Sequence, residues 1–180
     1  MTINRWYRAL RSTTVYHPSR LRRELMNRNE TTIRAADLAD VNAIARIRAA
    51  EWGTEEYWTK RVSGYMRGEI HPQHALPPRV LFVATEGKTV IGLIAGHLTR
   101  RYGCDGELEW IDVVRDQRGK GVATHLLRTL AAWFCEHQAK RICVDVEPAN
   151  HVARSFYKRH GAEELNAHWL VWGDITTVTA

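Results

Sequence analysis

The sequence predicts one domain of mixed α/β or α+β class. Its apolar residues switch repeatedly between the two-residue period of a strand and the 3.6-residue period of a helix, in the order β-α-α-β-β-β-α-β-α-β. The chain has 180 residues, of which 44% are hydrophobic and 26% charged, and this suits one globular core. We find no internal repeat or low-complexity tract, so a solenoid or fibrous protein is excluded.

The first half of the pattern predicts a strand followed by two helices. TTIRA has the residues of a short strand, and Asp37 then begins a helix that Gly53 ends. A second helix begins near Thr54. The segment HPQHALPPR is predicted to be a loop because of its three prolines.

A hairpin and a third strand follow this loop. RVLFVAT and TVIGLIAGHL are apolar runs joined by EGK, which is typical of two paired buried strands. In the next strand, ELEWIDVV, simple alternation places Glu107, Glu109 and Ile111 on one face. Leu108, Trp110 and Asp112 then lie on the opposite face.

The second half predicts two helices and two strands. A long apolar helical stripe begins at Val122, and RICVDVE alternates as a strand with Cys143, Asp145 and Glu147 on one face. Asn150 begins the last helix and Gly161 ends it. HWLVW is predicted to be the closing strand.

The positive charge is confined to the first 29 residues. That segment has seven arginines and a single acid, so it carries all six net positive charges, whereas residues 30–180 balance 19 basic against 19 acidic side chains. A nucleic-acid partner is therefore not expected for the main domain. We interpret residues 1–29 as a basic N-terminal extension, and three readings stay open: a transit peptide, an upstream extension before Met26, or an arm that packs on a partner.

Composition also argues against a membrane protein and a metal site. No apolar run approaches the ~18 residues that cross a bilayer. Cys104, Cys135 and Cys143 lack the paired spacing of a zinc or redox site, which favours a reducing, cytoplasmic location. His71 and His74 flank a proline in an extended loop, so we predict no metal ligands there.

The segment VVRDQRGKGVATHLL joins a strand to a helix through a loop with two glycines. Such a loop exposes unpaired backbone N–H groups at the positive end of the helix dipole, and this arrangement binds anions. The sequence lacks the G-x-x-x-x-G-K-S/T and G-x-G-x-x-G patterns of two common phosphate loops, because Val122 and Thr124 occupy decisive positions.

A third pattern does fit. Arg118-x-x-Gly121-x-Ala123 resembles R/Q-x-x-G-x-G/A, the pyrophosphate loop of the GNAT family of acyl-CoA-dependent N-acyltransferases. EPANHVARSFYKRHG resembles the downstream motif of that family, with Asn150 and Tyr157 before the helix-ending glycine. The resemblance covers roughly residues 31–172 in the right element order. Two positions depart from the family pattern, namely Arg115, where proline is frequent, and Ala162, where phenylalanine is frequent.

The resemblance implies a GNAT fold, with a mixed central sheet between helices and splayed central strands that hold acetyl-CoA. It implies that the diphosphate binds to backbone amides of the loop and that the pantetheine arm pairs with the end of the preceding strand. The implied cofactor-binding residues are Val113, Val114, Arg118, Gly119, Lys120, Gly121, Val122, Ala123, Thr124 and Asn150. Lys120, Arg154 and Lys158 are candidates for the outer phosphate, and a solvated helix face is the alternative for them.

Acyl transfer to a primary amine needs a base, an oxyanion donor and an acid for the thiolate. The resemblance implies Glu107, Glu109 or Asp145 as the base and Tyr157 as the acid. Asp112 is a fourth carboxylate, predicted on the other face. We expect the Val113 N–H to be the oxyanion donor. No histidine pairs visibly with Cys143, so a cysteine nucleophile is not favoured.

We therefore predict an acetyl-CoA-dependent N-acetyltransferase that works by direct attack in a ternary complex. The acceptor is expected to be a small cationic amine, recognised by Trp52, Tyr57, Trp58 and Tyr65 with Glu51, Glu55 and Glu56, which could equally be core and surface of a helix pair. Acetylation of a protein N-terminus and a non-catalytic acyl-CoA-binding module remain alternatives. The assembly, with a homodimer among the options, cannot be read from the sequence.

Overall fold

A computed structural model describes residues 30–179, and the basic extension lies outside them. The described chain forms a seven-stranded sheet in the order β1-β2-β3-β4-β5-β7-β6. The β4–β5 pair is parallel, whereas the other neighbouring strands run antiparallel. The mixed α/β class and the splayed central sheet are confirmed.

The elements of the first half have these bounds: β1 Thr31–Ala35, α1 Val41–Ala49, α2 Glu55–Arg67, β2 Ala75–Glu86 and β3 Thr89–Thr99. Asp37 does begin the first helical segment, as a capping box on a 3₁₀ turn at Leu38–Asp40 that continues into α1. The prediction of a loop over HPQHALPPR is wrong after His74. Strand β2 already begins at Ala75, and it tolerates its two prolines because the register with β3 shifts between Leu76 and Arg79.

The elements of the second half have these bounds: β4 Gly106–Val113, α3 Val122–Glu136, β5 Ile142–Asp145, α4 His151–Arg159, β6 Glu163–Glu164 and β7 Trp169–Trp172. The helices and long strands match the sequence prediction. The short strand β6 and a 3₁₀ turn at Ile175–Val178 were not predicted.

Helices cover both faces of the sheet, each over a separate apolar core. The core under α3 and α4 includes Leu126, Leu130 and Phe134, together with Tyr157. The opposite core, under α1 and α2, is built around Trp58, Tyr65 and Trp110. Among the described helices, none is long and apolar enough to cross a bilayer.

A β-bulge at Glu109 changes which side chains share a face of β4. In the register with β3, Trp110 lies opposite Ala95 and Leu108 lies opposite Gly96, so Glu109 is an extra residue. Leu108 and Ile111 consequently pack against the α3 core, while Trp110 packs against the α2 core. The alternation predicted from the sequence is therefore wrong beyond Leu108: Ile111 does not share a face with the glutamates, and Asp112 does.

The strands β4 and β5 separate soon after they pair. Their register comprises only Gly106 with Ile142, Glu107 with Cys143, and Leu108 with Val144. Strand β4 continues to Val113 on the β3 side, while β5 ends at Asp145 and continues toward α4. A V-shaped opening therefore lies in the middle of the sheet, between the ends of β4 and β5.

Candidate functional site

The loop after β4 has a backbone that suits glycine. Gly119 and Gly121 have φ angles of +77° and +85°, in the left-handed region that other residues enter reluctantly. A Cβ added at either glycine would meet nothing within 4 Å. The space above both glycines is therefore open, and a ligand can approach the backbone closely.

The same loop presents a run of unbonded donors. From Gly119 to Thr124, no backbone N–H donates to an acceptor among the described residues, and the first bond of the helix is from His125 N to Gly121 O, at 3.1 Å. Gly121 provides no side-chain cap for α3. Six successive N–H groups are thus free at the positive end of a 15-residue helix, an arrangement suited to a diphosphate.

Arg118 holds the loop against the sheet. Its Nε donates to Val113 O at 2.9 Å, and its guanidinium also pairs with Glu51 after α1. Arg118 therefore braces the loop with its side chain, which leaves the backbone N–H groups after it free.

His160 links the loop helix to the end of α4. Its Nδ1 lies 2.8 Å from Phe156 O, a carbonyl that can only accept, so Nδ1 carries the proton in the neutral ring. Nε2 is then an acceptor, and the Thr124 hydroxyl donates to it at 3.1 Å. Thr124 consequently keeps its backbone N–H available while its side chain fixes α3 to α4.

The end of β4 turns backbone groups toward the opening. Val114 donates its N–H to Ile91 O at 2.9 Å and accepts from Gln117 N at 2.9 Å, so both of its backbone groups are used. Hydrogen-bonded positions alternate along an antiparallel ladder, and Val113 and Ile111 therefore direct their backbone groups away from β3. Ile111, rather than Val114, joins Val113 in facing the space between β4 and β5.

A cavity of about 680 Å³ lies on the α1–α2 side of this opening. Its wall combines aromatic rings with four carboxylates, and arginines lie behind them. The aromatic residues are Trp52, Tyr57, Trp58, Trp110 and Trp169, and the acids are Glu107, Glu109, Asp145 and Glu147. Arg48, Arg61, Arg101 and His168 complete the charged part of the wall.

The two glutamates are buried and each has an arginine partner. Glu107 has a side chain that is 5% exposed, and it accepts from Arg101 Nε at 3.0 Å. Glu109 is 10% exposed and lies 3.4 Å from Arg61 Nη2. Pairing partly offsets the cost of burying both charges.

His97 lies behind these two acids and does not line the cavity. The ligand atoms of His97, Glu107 and Glu109 all lie within 4.8 Å of one another, a spacing that could hold a metal ion. We assign no ion to this group, because both carboxylates are already paired with arginine.

Burial sets the charge properties of the remaining carboxylates. It raises the pKa of Glu109, an effect that His97 and the nearby arginines oppose. Partial burial at the cavity wall also raises the pKa of Asp145. Asp112 is buried too, which raises its pKa, although it pairs with Arg48. A carboxylate with a raised pKa is a stronger proton acceptor, as a general base requires.

Tyr157 lies on the α4 side of the opening and is buried, with its ring packed edge-on against Trp172 at 5.7 Å between centroids. Burial raises the pKa of the phenol, and the Asp112 carboxylate raises it further. The hydroxyl therefore keeps its proton at neutral pH. No hydrogen bond joins that hydroxyl to another described residue, so it is available to a ligand.

Other predicted residues have structural partners of their own. Arg154 and Lys158 both pair with Glu164, each at 2.8 Å. Asn150 caps α4 by accepting from Ala153 N at 3.0 Å. Lys120 is exposed beside the glycines.

The acceptor residues predicted on α1 and α2 divide in the same way. Trp52, Tyr57 and Trp58 line the cavity, whereas Tyr65 is buried and donates its hydroxyl to Gly96 O at 2.8 Å. Glu51 pairs with Arg118, and Glu55 and Glu56 are exposed in the first turn of α2.

Sequence reasoning missed the basic half of the cavity. Arg48 stacks on the Trp58 ring at 4.1 Å and pairs with Asp112, and Arg61 and Arg101 meet the glutamates. These arginines come from two helices and a turn, far apart in the chain. The only indication in the sequence was that Glu107 and Glu109 lie on one strand, where burial would require cationic partners.

Comparison with known proteins agrees with this geometry. The model of the acetyltransferase (GNAT) family matches residues 42–162. The chain belongs to the GNAT family. Members of this family use acetyl-CoA, and the open glycine loop with its six free N–H groups fits the diphosphate of that cosubstrate. Among curated proteins, none matches the sequence significantly.

Solved structures of distant relatives share the fold. The N-acetyltransferase Paia of Thermoplasma acidophilum, in complex with coenzyme A, is 17% identical, with a TM-score of 0.59 over 81% of this chain and 99% of that one. A chimera of the Vibrio cholerae spermidine N-acetyltransferase SpeG and hSSAT is 18% identical, with a TM-score of 0.61 over 83% and 98%. The ribosomal-protein-S18-alanine N-acetyltransferase of Escherichia coli is 16% identical, with a TM-score of 0.59 over 79% and 91%.

Glu109→Gln should stabilise the protein at neutral pH. The pKa of Glu109 is raised by folding, so its contribution to stability is present at low pH and is lost as the pH rises through the folded-state pKa. The neutral amide avoids this loss. Thermal unfolding of the parent and the variant should give similar midpoints near pH 4 and a higher midpoint for the variant at pH 7.

Glu107→Gln is the matched control, because it weakens the buried contact with Arg101 Nε. We expect it to lower the midpoint at pH 7. A Glu109→Gln midpoint that falls at pH 7 would show that the Arg61 pair outweighs the cost of burial.

Proposed function

We propose that this protein acetylates a small cationic amine by direct transfer from acetyl-CoA within a ternary complex. The observation that carries the proposal is the opening between β4 and β5, which has the anion-binding loop at one end and the acid-lined aromatic cavity at the other. A thioester that threads this opening would meet an amine held in the cavity. Acetyl-CoA supplies the activated acetyl group.

The loop and the strand would position the cosubstrate. Backbone N–H groups of residues 119–124 bind the diphosphate, and the backbone of Ile111 and Val113 pairs with the amides of the pantetheine arm. The Val113 N–H then lies beside the thioester and acts as the oxyanion donor. A fixed donor of this kind stabilises the developing negative charge without reorganisation.

The acids would prepare the amine. A primary amine is protonated at pH 7, so it must lose a proton before it attacks. Glu109 lines the cavity and has a raised pKa, which makes it the preferred base, with Glu107 beside it. Asp145 lies at the end of β5 and is the alternative base.

Tyr157 would provide the proton for the leaving thiolate. It lies across the opening from the glutamates, and its phenol remains protonated because burial and Asp112 raise its pKa. The base takes the first amine proton before attack, and Tyr157 gives its proton to the thiolate. The second amine proton, released as the tetrahedral intermediate collapses, restores the phenol, so no covalent enzyme intermediate is needed.

The wall of the cavity favours a small cation. Aromatic faces attract an ammonium group, and the carboxylates of Asp145 and Glu147 have no salt-bridge partner among the described residues. A solved relative is described as a spermidine N-acetyltransferase, which is consistent with an amine of this type.

A protein N-terminus is the second candidate acceptor. Pro72 and Gln73 of the loop before β2 also line the cavity and would contact the end of a peptide, and Asp145 would then serve as the base. A solved structure of similar fold is described as a ribosomal-protein-S18-alanine N-acetyltransferase.

Gly121→Asp should weaken binding of acetyl-CoA by at least about tenfold, since it places a carboxylate where the diphosphate binds. Isothermal titration calorimetry measures the dissociation constant. Gly87→Asp is the matched control: Gly87 is also left-handed, with φ +60° and open space around it, but it lies in the β2–β3 turn. Equal affinities for both variants would place the diphosphate elsewhere.

Tyr157→Phe should bind acetyl-CoA as the parent does but lower kcat by about 10²-fold, because the thiolate loses its proton donor. Thiol release followed by a chromogenic disulfide measures turnover, and calorimetry checks binding. A variant with unchanged kcat would show that water or another residue protonates the thiolate.

The function itself is tested by a thiol-release screen of the parent with acetyl-CoA and two acceptor sets. The first set contains polyamines and other small amines, and the second contains peptides with a free N-terminal alanine or serine. We expect kcat/KM for the best small amine to exceed that for any peptide by at least about tenfold. The opposite preference would favour the N-terminal acetyltransferase, and binding without turnover on any acceptor would favour a non-catalytic module.

A further inference from the structure

His97 is the most unusual polar residue in the described part of the chain. It lies on β3, is 0% exposed, and neither of its ring nitrogens has a hydrogen-bond partner among the described residues. Buried polar groups in proteins are nearly always paired, so an imidazole in this state calls for a functional reason. The mechanism proposed above does not use it.

The position of His97 relates it to the two glutamates. His97 is the cross-strand neighbour of Glu107, and its Nε2 lies 3.7 Å from Glu107 Oε2. Its ligand atom also lies within 4.8 Å of those of both Glu107 and Glu109. These separations exceed a direct hydrogen bond, but one water that makes two bonds of about 2.8 Å spans up to about 5.6 Å.

The shape of the cavity explains why a second proton acceptor behind Glu109 would be needed. A bound amine covers Glu109, whose side chain is already only 10% exposed, so the proton that Glu109 accepts has no direct route to bulk water during the reaction. The glutamate must lose that proton before it can act again. His97 lies on the far side of the carboxylates, away from the cavity.

We propose that His97 is the internal proton acceptor of the site, receiving through one water the proton that Glu109 takes from the amine. The proposal rests on the proposed function. The O–H bond of protonated Glu109 breaks as the water accepts its proton, and the water gives a proton to the unprotonated ring nitrogen of His97. The products are a regenerated carboxylate, a water and an imidazolium.

Charge balance favours this transfer. The amine enters as a cation, and the cation that remains is the imidazolium, so the local net charge does not change. Both carboxylates stay ionised beside it, which stabilises a buried positive charge. Imidazole is the side chain that exchanges a proton most readily near neutral pH.

The charged surroundings of His97 come from four neighbouring elements. Strand β4 contributes Glu107 and Glu109. On the other side of His97, its cross-strand neighbour is Arg79 of β2. Tyr65 of α2 lies nearby, with its ring centroid 6.3 Å from that of His97. Arg61 of α2 and Arg101 of the turn after β3 do not contact His97 but pair with Glu109 and Glu107, respectively. Arg79 is held by Ile70 O and His71, so its charge is directed away.

His97→Gln tests the proposal, because glutamine is polar but does not titrate. With an alkylamine at pH 7 we expect kcat to fall by about 10- to 100-fold, with unchanged affinity for acetyl-CoA. The defect should shrink as the pH approaches the pKa of the amine, near ~10, because an amine that enters uncharged needs no acceptor before it attacks, and the single proton that it loses afterwards ends on the leaving thiolate. It should also shrink at pH 7 for a fluorinated amine that is neutral at that pH.

A structural role would give a different result. A defect of equal size for charged and neutral amines, at every pH, would overturn the proposal, as would a variant with the kcat and pH profile of the parent. His137→Gln is the matched control, since His137 lies at the end of α3, bonded to Trp133 O and remote from the cavity. Its kinetics should equal those of the parent.

The parent protein provides a test that needs no variant. In protein labelled with ¹⁵N-histidine, the ring-nitrogen signals of His97 should move toward the imidazolium form while acetyl-CoA and a charged amine are turned over at pH 7, compared with acetyl-CoA alone. Ring-nitrogen signals that are identical under the two conditions would overturn the proposal, even if His97→Gln failed to fold. Absence of transfer to any amine by the parent would instead overturn the proposed function, and the role of His97 with it. Transfer by the parent that His97→Gln leaves unchanged would overturn the role of His97 alone.

Discussion

The separation of β4 from β5 is the constraint on which the rest of the structure depends. The two strands are parallel and share only three paired positions. Beyond Leu108 the backbone groups of β4 on that side have no strand to pair with, and unpaired groups inside a sheet are costly unless a ligand satisfies them. The opening is thus at once a weak point of the sheet and the place where an extended ligand can complete it.

The surrounding elements can be understood as supports for this opening. Helices α3 and α4 pack beneath the sheet through an apolar core that includes Leu126, Leu130 and Tyr157. That core fixes the N-terminus of α3, and with it the glycine loop, relative to the end of β4. Arg118 and the Thr124–His160 contact restrict the loop further. A binding loop held in this way loses little conformational entropy when a ligand arrives.

After the separation of the strands, the bulge at Glu109 has the largest effect on the site, because it decides which charged side chains share a face of β4. One additional residue in β4 brings Glu109 together with Glu107 and Asp112 on the side of α1 and α2. Three acids on one face would repel one another. Arg48 of α1, Arg61 of α2 and Arg101 of the turn after β3 offset this repulsion by pairing with them. The cavity wall therefore carries several carboxylates, but most of their negative charge is offset by paired arginines. His97, with no partner of its own, is the exception to this balance.

The sequence by itself determined the element order, the anion-binding loop and the family, because each depends on local spacing. Gly119, Gly121 and the helix that follows them are contiguous, so their chemistry is legible in a short segment. It also predicted Asn150 as a helix cap and Tyr157 on the inward face of α4, through helical periodicity. Only the tertiary structure decided which acids share a face, since a bulge shifts alternation without a clear sequence signal. It alone revealed the arginine partners and the burial of His97, because these contacts join residues from different strands and helices, and burial is a property of the packed chain.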